Sequence, residues 1–178
     1  MNFRATRILA AALLASSCGL AIGATKTTTF AVTATVVSNC FISSGGAMAF
    51  GNYTPGGGNV DQVTTIVVRC SNGTPYGIGL DAGSAAGSAV GARLLKSGNA
   101  PASTLEYALF TNAGRTINWD NPATAGAVAG NQGGTGGGVG VPNAITHTVY
   151  GRLLDSTTSQ LAAPATDYAS TVTATVNY

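Results

Sequence analysis

The sequence predicts an all-β protein, and three observations carry that prediction. Segments in which apolar and polar residues alternate recur along the chain, separated by clusters of Gly, Pro and Asn. From Thr25 onward no helical period is sustained over three turns. Charged residues make up only 8% of the chain, against roughly a quarter in an average soluble domain. We expect short strands arranged as a sandwich with Greek-key connections.

The first two dozen residues have the pattern of a secretory signal peptide. Arg4 and Arg7 precede the apolar run ILAAALLASS, and AIGA offers small residues for cleavage after Ala24. The apolar run is too short to span a bilayer. An alternative takes LASSC as a lipobox that would acylate Cys18, although Ala15 stands where such a motif has Leu. The prediction is a signal peptide over residues 1–24 and one domain over 25–178.

The charge balance argues against an electrostatic partner. Two of the eight basic residues lie in the leader, which leaves six basic against six acidic residues. A domain near neutrality has no basic surface for nucleic acid or for an anionic membrane. Such a weakly charged surface also resists association poorly. It fits either a secreted protein with Thr-covered strands or a protein that assembles, and composition leaves both open.

The strands are predicted from period-two segments bounded by turn residues. They cover Thr27–Phe41, Val63–Cys70, Tyr76–Leu80, Arg93–Lys96, Leu105–Thr111, Ile145–Leu154 and Thr171–Tyr178.

Alternation also assigns the faces of these strands. Three inward sets are predicted: Ile66, Val68 and Cys70; Leu105, Tyr107 and Leu109; and Val172, Ala174, Val176 and Tyr178. In the first segment the apolar set is Phe30, Val32, Ala34 and Val36. A strand near a free terminus leaves a row of backbone donors and acceptors for a partner. Whether that partner is internal or a second molecule is left open by the pattern.

Two cysteines remain after the leader, Cys40 and Cys70. In an exported protein a disulfide between them is expected. With His147 as the sole histidine, the chain offers no ligand set for zinc, so we predict neither a metal nor another cofactor.

The stretch NPATAGAVAGNQGGTGGGVGVPN, from Asn121 to Asn143, is predicted to be a long loop because so much Gly holds a strand poorly. It lacks the G-K-[ST] ending of a phosphate-binding loop.

Groups suited to catalysis are few, and we predict that the protein is not an enzyme. His147 shares a strand face with Ile145 and Val149, which favours a packed or surface imidazole over a catalytic base. The six acids are scattered singly, and all but Glu106 fall in predicted turns, where Asp commonly accepts from backbone amides. Trp119 and the Gly-rich stretch leave a carbohydrate-binding module as a further possibility, against the simpler reading that the aromatic residues form the core.

Taken in order, the landmarks of the chain resemble the spore coat protein U domain family, which includes subunits of archaic chaperone-usher pili. They are the N-terminal alternating segment, Cys40, FGNY at 50–53, VVRCSNGTPYGIGLDAG at 67–83, YALFTNAGRTINWD at 107–120, VYGRL at 149–153 and DYASTVTATVNY at 167–178. The resemblance covers essentially the whole chain after the leader.

The resemblance implies an immunoglobulin-like sandwich that lacks its last strand and is completed by a donor strand. The donor would be residues 25–36 of a neighbouring subunit, and the strand 171–178, with Val172, Ala174, Val176 and Tyr178, would border the groove that receives it. The implied partners are a periplasmic chaperone, an outer-membrane usher and neighbouring subunits, alike or different. The implied protein is an extracellular fimbrial subunit supporting attachment or biofilm, with a secreted coat or matrix protein as the alternative.

Overall fold

The computed structural model describes residues 23–98, 103–121 and 131–178. They fall into a short N-terminal unit, residues 23–35, and a main unit, Val36–Tyr178. Cys18, almost all of the predicted signal peptide and part of the Gly-rich stretch lie outside the described residues. Within the described ranges, no helix has the length and apolarity needed to cross a membrane.

Eight strands are found in the described part of the chain, together with one short helix and one 3-10 turn. They are β1 (Cys40–Ser44), β2 (Val60–Cys70), β3 (Pro75–Leu80), β4 (Arg93–Lys96), β5 (Thr104–Phe110), β6 (Gln132–Thr135), the 3-10 turn (Val141–Asn143), β7 (Ile145–Leu153), α1 (Thr157–Gln160) and β8 (Ala174–Asn177). The predicted all-β class is confirmed.

The strands form two sheets of unequal size. One has the order β1-β2-β7-β5-β4 and the other the order β6-β3-β8. Each ladder among these strands is antiparallel. The non-consecutive neighbours β2-β7 and β3-β8 are the long-range pairings that a Greek-key sandwich requires. Because β3 follows β2 through a short turn, the chain passes from one sheet to the other at residues 71–74.

The core lies between the two sheets, where the inward sets meet. Each residue of the first two predicted sets is buried, namely Ile66, Val68, Cys70, Leu105, Tyr107 and Leu109. Val172, Ala174 and Val176 pack against this core and are partly buried, whereas Tyr178 is 52% exposed. Alternation thus gave the correct face for the first two sets and for Val172, Ala174 and Val176. The prediction was wrong for Tyr178, and the predicted strand Thr171–Tyr178 is a strand only over Ala174–Asn177.

The prediction of a strand over Thr27–Phe41 was wrong for most of its length. Residues 23–39 carry no strand, and β1 begins only at Cys40. The alternating side chains Phe30, Val32 and Val36 are 84%, 83% and 91% exposed. An alternating sequence becomes a strand only when its backbone joins a ladder, and no ladder of the described residues includes this segment.

The prediction that 121–143 forms only a loop was also wrong, since β6 lies within it. β6 pairs with β3 from Pro75↔Thr135 to Ile78↔Gln132. The residue directly after β6, Gly136, has to be glycine because the backbone at the end of β2 lies too close for a side chain. A Cβ on Gly136 would stand 2.4 Å from the Ser71 carbonyl oxygen, so the chain can cross the end of β2 only without a side chain there.

The acidic residues follow the turn prediction with one exception. Asp81, Asp155 and Asp167 accept from backbone amides of nearby loops. Asp61 instead lies in β2, where Arg152 donates to it at 2.7 and 2.8 Å. This hydrogen bond is the main cause that lowers the pKa of Asp61. The cross-strand partner Arg152, rather than a turn, explains the position of this carboxylate.

Candidate functional site

The three-stranded sheet ends at β8, whose outer side faces no other strand of the described residues. β8 pairs with β3 from Gly77↔Asn177 to Leu80↔Ala174, and no described strand pairs with its other side. In the five-stranded sheet β1 is likewise an edge strand, bound only to β2 within the described residues. β1 and β8 border the same side of the sandwich, because residues of these two edge strands approach each other across the sheets.

A cleft of about 420 Å³ opens on this side. One wall is formed by residues 44–48 and the other by residues 170–174, which lead into β8. Core side chains line its floor, among them Ile66, Leu80, Tyr107, Leu109 and Val149. No lining residue is charged. The cleft thus combines an apolar floor with an edge strand of the described sheet, and this arrangement is suited to strand addition by an extended segment.

A second concavity, here called the end hollow, continues from the cleft. It measures about 710 Å³ and is bordered by residues 48–55 and 162–170. Met48, Phe50, Leu95 and Ser170 line both the cleft and the end hollow. The ring of Phe50 lies 6.1 Å from that of Tyr107, so this side chain ties the wall segment to the core.

One carboxylate holds the loop that walls the end hollow. The Tyr53 hydroxyl donates to Asp155 Oδ1 at 2.5 Å, and the Gly56 and Gly58 amides donate to its two oxygens at 3.0 and 2.9 Å. These hydrogen bonds lower the pKa of Asp155 to about 2, and the bond from Tyr53 has the largest effect. Burial and then the bond to Asp155 raise the pKa of Tyr53 to about 12. The loop therefore stays fixed at neutral pH, with Asp155 ionised.

The predicted site residues fall into three groups. Val172 and Ala174 line the cleft, whereas Val176 packs on the core beyond it and Tyr178 is half exposed. Cys40 and Cys70 are joined by a disulfide that links the first residue of β1 to the last of β2. The fourth member of the N-terminal apolar set, Ala34, is exposed like the other three.

The family model of the spore coat protein U domain matches residues 26–175. The chain belongs to the spore coat protein U domain family. None of the curated proteins compared with the chain matches it.

Six chains of solved structures are similar to this spore coat protein U domain. One belongs to the CsuC-CsuE chaperone-tip adhesion subunit pre-assembly complex from archaic chaperone-usher Csu pili of Acinetobacter baumannii. It is 21% identical with a TM-score of 0.51, and the similarity covers 81% of this chain and 40% of that chain. At this identity the likeness shows the fold. The spore coat domain spans less than half the length of that neighbour.

His147 of the spore coat domain is buried, which is the first of the two environments, packed or surface, that its strand face left open. Its Nε2 lies 2.8 Å from the Tyr76 hydroxyl and its Nδ1 lies 2.8 Å from Gln132 Oε1. Gln132 Nε2 donates to the Thr111 carbonyl at 2.7 Å, which turns Oε1 toward the imidazole. Nδ1 therefore carries the proton, and Nε2 accepts from Tyr76. This chain of bonds joins β6 and β3 of one sheet to β7 of the other.

Burial lowers the pKa of His147, and this makes stability depend on pH. The unfolded chain binds the proton more readily, so stability is complete above about pH 6.5 and declines as pH falls toward the folded-state pKa. Urea unfolding of the wild type and of His147→Gln across this range should show a smaller pH effect in the variant. Equal pH slopes would contradict the assignment. Acids whose pKa is lowered, such as Asp61, lose their contribution only at more acidic pH.

Trp119 does not support the carbohydrate-binding possibility. Its side chain is fully buried, and its indole donates to the Ile78 carbonyl at 2.9 Å. A ring in this position cannot stack on a sugar.

Sequence reasoning missed the residues that shape the cleft from the side of β1. Met48 fills the space above Gly151, where a Cβ would stand 2.1 Å from its sulfur. Met48 and Phe50 follow β1 across GGAMAF, a stretch with no clear period, so alternation gave no face for them. The one feature of the sequence that could have indicated a packing role is that Met48 and Phe50 are large apolar residues among Gly and Ala.

Proposed function

We infer that this protein is a structural subunit of an extracellular fimbria of the chaperone-usher type. In this proposal residues 25–36 of one subunit enter the cleft of the next and pair with β8 along its outer edge. The observation that carries the proposal is the position of β8 as the last described strand of its sheet, beside an uncharged apolar cleft. Membership of the spore coat protein U family and the fold shared with a chaperone-usher pilus subunit support it.

The N-terminal segment has the chemistry that such a cleft accepts. Phe30, Val32, Ala34 and Val36 alternate with Ala31, Thr33 and Thr35, so an extended backbone turns one apolar face inward. Burying Phe30, Val32 or Val36 contributes about 1.5 to 3 kcal/mol each, as upper values. Because donor and acceptor surfaces differ, the contact is heterologous and builds a filament rather than a closed dimer.

The same surfaces define the expected partners during export. An uncharged cleft with an open strand edge aggregates readily, so a subunit needs cover before assembly. A periplasmic chaperone would occupy the cleft, and an outer-membrane usher would direct its exchange for the neighbour's segment. The similar solved structure is a complex of a chaperone with a tip adhesion subunit, which supports this role.

The test is an SDS gel of protein exported with its own chaperone and usher, with unheated and boiled samples side by side. The wild type should give a ladder that survives without heat and collapses on boiling, because a continuous strand ladder dissociates slowly. Deletion of residues 25–36 should leave monomer. Val32→Asp should do the same, since it places a charge in the apolar cleft.

Thr33→Asp is the matched control, because the neighbouring residue points away from the cleft in the same strand. It should keep the ladder. A monomer band in every lane, or a ladder from Val32→Asp equal to that of the wild type, would overturn the proposed function. The buried Trp119 reports through its emission that each variant is folded.

A further inference from the structure

We propose that successive subunits meet at a second place besides the cleft. The contact joins the end hollow of one copy to the root face of the next, which we define as residues 136–141 together with Ser38–Cys40. This inference rests on the proposed function, because it takes the strand in the cleft to be the N-terminal segment of another copy of this chain.

The direction of the inserted segment decides which end of the cleft meets the neighbour. Every ladder between described strands is antiparallel, and antiparallel pairs are slightly more stable per residue. The chain runs from Ser170 to Asn177 along the cleft and β8. A segment antiparallel to it places its later residues nearest Ser170, where the end hollow begins.

The reach of the chain then brings the neighbour's sandwich to the end hollow. Val36 is the last residue of the apolar set, and Cys40 is the first residue of β1. Four residue steps separate them, which span at most about 13 to 14 Å. Cys40 of the donating copy must therefore lie within that distance of Val36, which places the root face around Cys40 on the side of the end hollow.

Two backbone segments meet at the root face. The Asn39 amide donates to Ser71 Oγ at 3.0 Å, and the Gly138 amide donates to the Cys70 carbonyl at 2.9 Å. Both segments are thus held at the same end of β2. Beside them Val139 and Val141 are 43% and 73% exposed, and no charged residue occurs in 136–142.

The two surfaces match in chemistry. The end hollow has no charged residue in its lining and presents Phe50, Tyr53, Pro164 and Tyr168. Apolar side chains such as Val139 and Val141 can enter it without removing a charge from water. Within one copy the root face lies at the Cys40 end of β1, whereas the end hollow lies beside Met48, beyond the Ser44 end of β1. The contact therefore repeats head to tail with the strand insertion.

The test places one cysteine on each surface. The full chain with Val141→Cys and Thr166→Cys is exported with its chaperone and usher, then treated with a short bismaleimide. Thr166 is exposed and lines the end hollow, and the native disulfide leaves both new thiols free to react. We expect covalent dimers and higher species that survive boiling. Val141→Cys with Thr116→Cys is the matched control, because Thr116 is exposed but lines neither concavity.

The two gel conditions separate the two proposals. A heat-sensitive ladder without boiling-resistant species above the control would overturn the second contact and leave the proposed function standing. Absence of any ladder before boiling would overturn both. Boiling-resistant species confined to the Val141 and Thr166 pair would support the contact, and each single variant should give monomer after boiling.

Discussion

Replacing Arg93 by methionine is expected to destabilise the domain by about 3 to 5 kcal/mol. The side chain is completely buried, and its guanidinium donates to four backbone carbonyls. These belong to Asp81 at 2.8 Å, Val90 at 2.6 Å, Leu80 at 3.0 Å and Trp119 at 3.0 Å. Methionine fills much of the volume but donates to none of them, so the Leu80 and Trp119 carbonyls lose this donor at a buried position and the Asp81 and Val90 carbonyls lose it at a partly buried one.

Urea unfolding followed by the emission of Trp119, the single tryptophan, measures this loss. Arg69→Met is the matched control: that guanidinium stacks over Phe41 at 5.6 Å in an edge pair, and its removal should cost no more than about 1 kcal/mol. Arg93→Lys should fall between the two, because one ammonium cannot reach four separated carbonyls. Equal stability of Arg93→Met and Arg69→Met would contradict the role assigned to Arg93.

The sequence predicted the parts of the fold that depend on a local period. β3, β4, β5 and β7 lie within one residue of their predicted bounds at each end, because alternation and turn residues act over a few positions. The role of Arg93 was not predictable in the same way. Its acceptors come from residues 80–90 and from Trp119, which approach it only in the folded sandwich.

The errors in predicting a strand at 27–39 and a loop at Gln132–Thr135 share a physical cause. A strand is defined by its partner, so the strongly alternating segment 27–39 is not a strand, while the Gly-rich Gln132–Thr135 is one through pairing with β3. For the candidate site, the sequence supplied Val172 and Ala174 on the correct face of the cleft wall. It could not supply Met48 and Phe50, because long-range packing rather than a period places them.

Removal of the disulfide, by the double substitution Cys40→Ala and Cys70→Ala, is expected to cost about 3 to 4 kcal/mol on the chain-entropy account. The bond closes a loop with a separation of 30 residues, so its loss raises the conformational entropy of the unfolded chain. Alanine avoids placing a new polar group at Cys70, which is 1% exposed. Urea unfolding at neutral pH should show the same shift for the double variant and for reduced wild-type protein.

Loss of the Cys40–Cys70 disulfide should also weaken assembly, because the bond lies at one edge of the cleft. Cys40 lies four residues after Val36, the last residue of the segment proposed to enter a neighbour, and it is the first residue of β1. Without the bond, β1 is held by its ladder with β2, by the hydrogen bonds between Asn39 and Ser71, by the contact of Arg69 with Phe41 and by the wall 45–50. These are weaker than a covalent link, so the cleft should lose definition as well as stability. The double variant should therefore give a weaker heat-sensitive ladder than the wild type even well below its unfolding temperature. A stability change under about 1 kcal/mol, with an undiminished ladder, would show that packing of β1 alone holds this edge of the cleft.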